Sequence, residues 1–344
     1  MKKKGRGIGS CIYSLTVPNA PNPCGADVIM RDDGSINVSL GIVDIGQGAQ
    51  TTLAMMVSEY FTIPIEQIRV YVADTANTNY DFGTLSSRLT FTGGRAVLDA
   101  CDKLMAILKD AAAKQLKTIP ERLYAEGGFL KDKYDNHKML PIPAAAAISQ
   151  YVFRVLPQAQ GSYYPVNVPI DENGQGEPSV SYNYHVTVAD VEVDDETGVV
   201  TIEHIYSVVD CGKAINPTAV VGQCDGGTLM GVGGALGETM YPYLMGNDGP
   251  TADFQPDIRP RNLSDYPLNT TLDVKDINSY YVESIDPEGP YGAKATGEIC
   301  TNTTAPAIID AIHQAVGVWI TELPATPDKV LAAILEKKAK EAKA

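Results

Sequence analysis

With 344 residues, 44% of them apolar and 20% charged, the chain is long enough for one large or two ordinary domains around a substantial buried core. A formal net charge of −15 sets aside a general affinity for phosphate backbones or anionic membranes, so no nucleic-acid or membrane partner is expected. No window holds the roughly 18 consecutive apolar residues of a membrane span. The N-terminal MKKKGRGIGS is charged, with no apolar run of signal-peptide length behind it. Six cysteines (Cys11, Cys24, Cys101, Cys211, Cys224 and Cys300) show no CxxC pair and no cysteine–histidine spacing of a zinc or iron–sulfur site. The expectation is a cytoplasmic protein whose reduced thiols are mostly buried.

Along the chain, residues 25–41 alternate apolar and polar on either side of Asp32-Asp33-Gly34, a hairpin signal. Leu53, Met56, Val57, Tyr60 and Phe61 then draw one apolar stripe over 49–62, which predicts a helix that Pro64 ends. The stretch 68–74, IRVYVAD, reads as a strand. The longest helix is predicted over 93–116, with Val97, Cys101, Leu104 and Leu108 on one side. Residues 118–180, rich in proline, glycine and tyrosine, read as a connecting segment with short elements and a domain seam.

The plan then repeats: strand 182–193, the turn DDETG, strand 199–209, and a helix after Asn216-Pro217. Strand 276–284 and helices over 305–316 and 326–342 complete the count. Two hairpin-then-helix units predict an α+β fold of two layers, divided as a first subdomain 1–165 and a second 166–344.

Three glycine-bearing segments could hold a ligand. In DIGQG (44–48) the glycines let a backbone come close, and free amides at a helix start could face a phosphate or carbonyl, although taken alone the motif is weak and a mere tight turn explains it more readily. FGTLSSR (82–88) is a run of hydroxyls ending in arginine, suited to phosphate or a heterocycle edge, or else a hydrogen-bonded surface loop. VVGQCDGG (220–227) is rich in glycine for a helix, where each costs about 1 kcal/mol relative to alanine; close packing against a backbone or a cofactor would compensate. GAKATGEIC (292–300) carries one acid, Glu298, among small residues and one lysine, just ahead of the Thr303-Thr304-Ala305-Pro306 helix start. No Walker sequence, GxGxxG, GxSxG elbow or paired-histidine motif is present. The scattered His137, His185, His204 and His313 read as structural or surface residues.

Taken in order, DIGQG, DTANTNYDFGTLSSR followed by GGRAV, VVGQCDGG, GAKATGEIC and LPATPDKVL resemble the molybdopterin-binding subunits of the xanthine dehydrogenase and aldehyde oxidase family. The likeness spans nearly the whole chain but only the C-terminal part of the usual large subunit. It is similar above all to the split arrangement of nicotinate dehydrogenases, where this would be the medium molybdopterin subunit.

The resemblance implies a molybdopterin cofactor, in its cytosine dinucleotide form, with molybdenum held by the pterin dithiolene and no metal ligand from the protein. Gly46, Gln47 and Gly48 would touch the pterin, Gly83, Thr84, Leu85, Ser86, Ser87 and Arg88 would wrap the cofactor, and Gln223 and Gly297 would complete its site. Glu298 would be the catalytic base and Tyr13 an aromatic presented to substrate. It further implies hydroxylation of an N-heteroaromatic carbon with water as oxygen source, nicotinate first and a purine second. Partners would be a larger molybdopterin-binding subunit, an iron–sulfur subunit and an FAD subunit. Where relatives have prolines after the glutamate, this chain has Ile299 and Cys300. The competing reading is a non-catalytic scaffold subunit, against which the joint presence of Glu298, GQG and the SSR loop argues.

Overall fold

The computed structural model describes residues 1–238, 263–264, 266–270 and 272–343. Both predicted hairpins form. Strands β2 (Cys24–Met30) and β3 (Ile36–Leu40) pair antiparallel, helix α1 (Ala49–Phe61) follows, and β4 (Ile68–Tyr71) returns parallel to β3. In the second half β9 (Tyr182–Asp194) and β10 (Val200–Asp210) pair antiparallel, α4 (Pro217–Leu236) follows, and β11 (Ile277–Val282) returns parallel to β10. The repeat seen in the sequence therefore extends one strand further, to a strand–strand–helix–strand unit used twice. The fold is α+β.

Each unit builds its own sheet and core. The first sheet has the order β4-β3-β2-β8, with β8 spanning Gln158–Tyr163, and packs on α1 and on the predicted long helix α2 (Gly94–Leu116). Alternation places Ala26, Val28 and Met30 of β2 and Ile36, Val38 and Leu40 of β3 in that core, all fully buried, because side chains two apart share a face. The segment 118–180 does more than connect. It supplies β8, the antiparallel meander β5 (Leu123–Glu126), β6 (Phe129–Asp132) and β7 (Asp135–Pro141), and the short α3 (Ile142–Ala147).

The second sheet has the order β1-β9-β10-β11. Strand β1 (Lys2–Ser14) was legible only as a charged N-terminus, and although it precedes residue 165 it lies in the sheet of the second half, paired from Lys2 opposite Asp194 to Ser14 opposite Tyr182. Its outward positions are exposed, including Lys2, Lys4 and Arg6; its inward ones begin Gly5, Gly7, Gly9. Helix α6 (Thr304–Val316) lies directly on that glycine row: a Cβ at Gly5, Gly7 or Gly9 would come within 2.1–2.2 Å of the carbonyl oxygens of Ala311, Ala307 and Thr303. The last helix, α7 (Pro327–Glu341), adds Val330 and Ile334 to the same core.

Glycines also set the packing of α4. A Cβ at Gly227 would stand 2.7 Å from Cys300 Cβ and one at Gly231 2.5 Å from Thr304 Cβ, so α4 rests against α5 (Ile299–Asn302) and the start of α6, while Gly222, Gly226 and Gly234 face open space. Among the described residues no helix is long and apolar enough to cross a membrane.

Because the atoms facing Gly7 are backbone and cannot rotate away, Gly7→Ala should destabilise the fold by at least about 1–3 kcal/mol. Urea unfolding followed by circular dichroism measures this; an unchanged midpoint and slope would contradict the close β1–α6 contact.

Candidate functional site

A cavity of about 610 Å³ opens where the two halves meet. Loop 43–48, loop 82–88, one face of α4 and the segment 293–298 form its walls. Of the residues singled out in the sequence, Gln47, Thr84, Leu85, Ser87, Arg88, Gln223, Gly297 and Glu298 line it. Gly46, Gly48, Gly83 and Ser86 belong to the same loops without lining it, and Tyr13 reaches it through Glu298.

The loop 43–48 turns through Gly46 (φ 104°) and Gly48 (φ 79°), left-handed angles that glycine adopts without strain. Nothing lies within 4 Å of where either Cβ would stand. The amides expected to face a ligand at the start of α1 are taken internally: Gly46 and Gln50 donate to the Asp44 carboxylate at 2.9 and 3.3 Å. Burial raises the pKa of Asp44, but the amides of Gly46, Gln50, Gly48 and Ala49 outweigh it and hold the carboxyl below its ordinary range. Gln47 is partly committed too, its Oε1 accepting from the Ile45 amide at 2.6 Å and its Nε2 donating to the Val43 carbonyl at 3.1 Å.

The second loop is braced from behind. Arg88 is fully buried; its Nη1 donates to both oxygens of Asp81 at 2.8 Å and to Gly83 O, and its Nη2 to the carbonyls of Asn22 and Pro23. The guanidinium is thus a loop anchor, where the sequence suggested a phosphate donor. Ahead of it Ser86 (φ 50°) and Ser87 (φ 48°) both adopt left-handed backbone, a strain of about 1–3 kcal/mol each that surrounding contacts must offset. Those contacts are specific. Thr84 Oγ1 accepts from Val43 N and donates to Val43 O, tying the two loops together, and Ser86 Oγ donates to Ser14 O at 3.4 Å.

Ser87 meets Glu298 at two points: its Oγ accepts from the Glu298 amide at 3.1 Å and donates to Glu298 Oε2 at 3.4 Å. The Tyr13 hydroxyl donates to the same Oε2 at 2.6 Å. Gly297 permits this approach, since a Cβ there would lie 2.9 Å from Ser87 Oγ. Glu298 immediately precedes α5 but makes no capping bond, and the Thr303 hydroxyl ahead of α6 bonds His185 and Thr187 in place of its own helix. Ile299 beside it is buried, but the Glu298 side chain is exposed to the cavity. Burial, and then the bond to Glu298, push the Tyr13 phenol up to about 12.

Sequence reasoning missed several lining residues. Lys294 is buried and donates to Asp210 at the end of β10 at 2.7 Å; its charge within a run of small residues was the available signal. Thr296, which no pattern marked, lines the cavity too; its Oγ1 and the Arg88 Nε are buried atoms with no partner among the described residues. Ile45 and Met230, 74% and 65% exposed, form an apolar rim.

Residues 1–249 match the molybdopterin cofactor-binding domain, and 94% of the chain aligns at 30% identity with a putative xanthine dehydrogenase molybdenum-binding subunit of Escherichia coli. The chain belongs to this molybdopterin-binding family. It is also 30% identical, over 90% of its length, to the nicotine 6-hydroxylase large subunit of Paenarthrobacter nicotinovorans. Its fold matches quinoline 2-oxidoreductase from Pseudomonas putida 86 with a TM-score of 0.83 at 24% identity, covering 97% of this chain and 42% of that one. The chain spans 41% of the xanthine dehydrogenase subunit and 36% of the nicotine hydroxylase subunit.

Removing one partner of the enclosed Arg88–Asp81 pair leaves an uncompensated charge, so Arg88→Met should cost about 3–5 kcal/mol in urea unfolding; a loss below about 1 kcal/mol, the range of an exposed pair, would contradict the anchoring role. The Tyr13 phenol stays protonated in the folded chain above pH 10, where the unfolded chain ionises. Its contribution to stability is therefore complete below pH 10 and is lost as pH rises towards about 12. Ultraviolet titration of wild type minus Tyr13→Phe should isolate one phenol ionising near the upper value; ionisation near 10 would contradict the contact with Glu298.

Proposed function

We propose that this chain is a cofactor-bearing catalytic part of a molybdenum hydroxylase that hydroxylates a carbon of an N-heteroaromatic ring with oxygen from water, nicotinate being the leading substrate and Glu298 the base. The observation that carries this reading is the placement of Glu298 in the cavity wall, with Oε2 held by Tyr13 and Ser87 while Oε1 makes no hydrogen bond among the described residues. One oxygen fixes the carboxylate; the other is available to a proton.

The cavity suits a molybdopterin group. The unpartnered Thr296 Oγ1 and Arg88 Nε offer polar contacts, and Gly226 leaves the α4 wall open to a close approach. Gln47, Thr84, Ser87 and Gln223 would hold the pterin and its phosphate, in the cytosine dinucleotide form. When bound, the molybdenum–pterin group supplies the two-electron redox chemistry and the oxygen atom delivered to substrate. The chain's own work is positional and protolytic. Glu298 takes a proton at Oε1, Tyr13 and Ser87 keep the carboxylate aimed, and Tyr13 lies beside the incoming ring. The exposure of Glu298 leaves exclusion of water to a partner.

The reading includes a larger molybdopterin-binding subunit, with iron–sulfur clusters and FAD on further subunits. A cytoplasmic location accords with six unpaired cysteines. The ring-nitrogen substrate class is supported by the likeness to nicotine 6-hydroxylase. A purine is the second reading, favoured by the likeness to a xanthine dehydrogenase subunit. Turnover of nicotinate and of purines by the purified complex, with an artificial electron acceptor, distinguishes the two.

General-base assistance is worth about 10²- to 10⁴-fold, so Glu298→Gln should lower turnover by that factor while molybdenum and pterin contents stay at wild-type level. Unchanged turnover would refute the role of Glu298; loss of the cofactor in step with activity would make the residue structural.

A further inference from the structure

We propose that Cys224, Cys300 and His185 form a second metal site, for a thiophilic closed-shell cation such as Zn²⁺ or Cu⁺, behind the α4 wall of the cavity. The three residues come from α4, α5 and β9, and their donor atoms all lie within 4.8 Å of one another. Cys224 and Cys300 are fully buried and His185 is 1% exposed.

The spacing fits such an ion. Two thiolates bound to one tetrahedral zinc at about 2.3 Å stand about 3.8 Å apart, and the two sulfur atoms here are 3.7 Å apart. The group contains no carboxylate, which selects against Mg²⁺ and Ca²⁺ and for soft cations. Electrostatics point the same way, because two thiolates cancel the charge of Zn²⁺ and a neutral cluster is the least costly ionic group to bury. Binding releases the two thiol protons; no electron is transferred.

Both ring nitrogens of His185 meet hydroxyls. Its Nδ1 shares a hydrogen bond with Thr303 Oγ1 at 2.5 Å and its Nε2 with Ser207 Oγ at 2.9 Å. On binding, one ring nitrogen would exchange its hydroxyl for the ion while the other keeps the hydroxyl that orients the ring, the outer-shell arrangement usual for histidine ligands. Cu⁺ is satisfied by the three donors.

The location gives the ion a purpose. Cys224 follows Gln223, Cys300 is two residues beyond Glu298, and a bound ion would tie α4 to α5 directly behind the cavity. The inference does not depend on the reading of that cavity, because the donors, the ion and the measurement are separate from molybdenum.

The test uses the full chain, purified under reducing conditions, analysed for zinc and copper, then stripped with a chelator and titrated with Co²⁺ followed by Zn²⁺. The expected results are a stoichiometric amount of zinc or copper in the isolated chain and, with Co²⁺, thiolate-to-metal charge-transfer absorption that Zn²⁺ abolishes. Cys224→Ser and Cys300→Ser should each lose both signals, with an unchanged circular dichroism spectrum showing that the chain still folds. Absence of the band in the folded wild-type chain overturns the proposal without any variant. Metal retained by the folded double variant Cys224→Ser/Cys300→Ser overturns it as well.

Discussion

The bare contact between β1 and α6 is the constraint on which the site rests. With Gly5, Gly7 and Gly9 facing the carbonyls of Ala311, Ala307 and Thr303, no side chain separates strand from helix. That contact fixes both ends of the Tyr13–Glu298 pair. Tyr13 lies further along the same inward row of β1, and Glu298 precedes the short helix that leads into α6, so their 2.6 Å hydrogen bond follows from the backbone packing behind it. A layer of larger residues between β1 and α6 would move the phenol and carboxylate apart.

The other half of the molecule contributes a braced loop. Ser86 and Ser87 are held in left-handed conformations beside a buried Arg88–Asp81 pair, and the resulting turn carries Ser87 Oγ to the amide and carboxylate of Glu298. Each half therefore has its own core, while the Glu298 carboxylate is oriented by both. Repeated strand–strand–helix–strand units account for the cavity as well: the segments preceding α1 and α4, equivalent in the two units, both contribute to its walls.

Much of this was legible in the sequence because it depends on local periodicity. The alternation in β2 and β3, the stripes of α1 and α2, and the glycine content of α4 all report backbone state and burial directly. Strand β1 was hidden because its inward face is glycine rather than an apolar side chain, so the period-two signal reads as a flexible charged terminus. The capture of the α1 amides by Asp44 and of the Arg88 guanidinium by Asp81 was equally hidden, since a short motif names donors and not their acceptors. His185, Cys224 and Cys300 are far apart in sequence and meet only through sheet and helix packing.

The residue choices of the site form a consistent whole: small residues where segments must approach, hydroxyls where the carboxylate must be aimed, and exposed apolar side chains at Ile45 and Met230 where a covering surface would seal the opening. The most direct test of this account is a density map of the chain in complex with its partners and loaded with molybdopterin. The account predicts pterin density between loop 82–88 and α4, with Glu298 facing the molybdenum. Pterin bound in a cleft that excludes Ser87, Gln223 and Glu298 would contradict it.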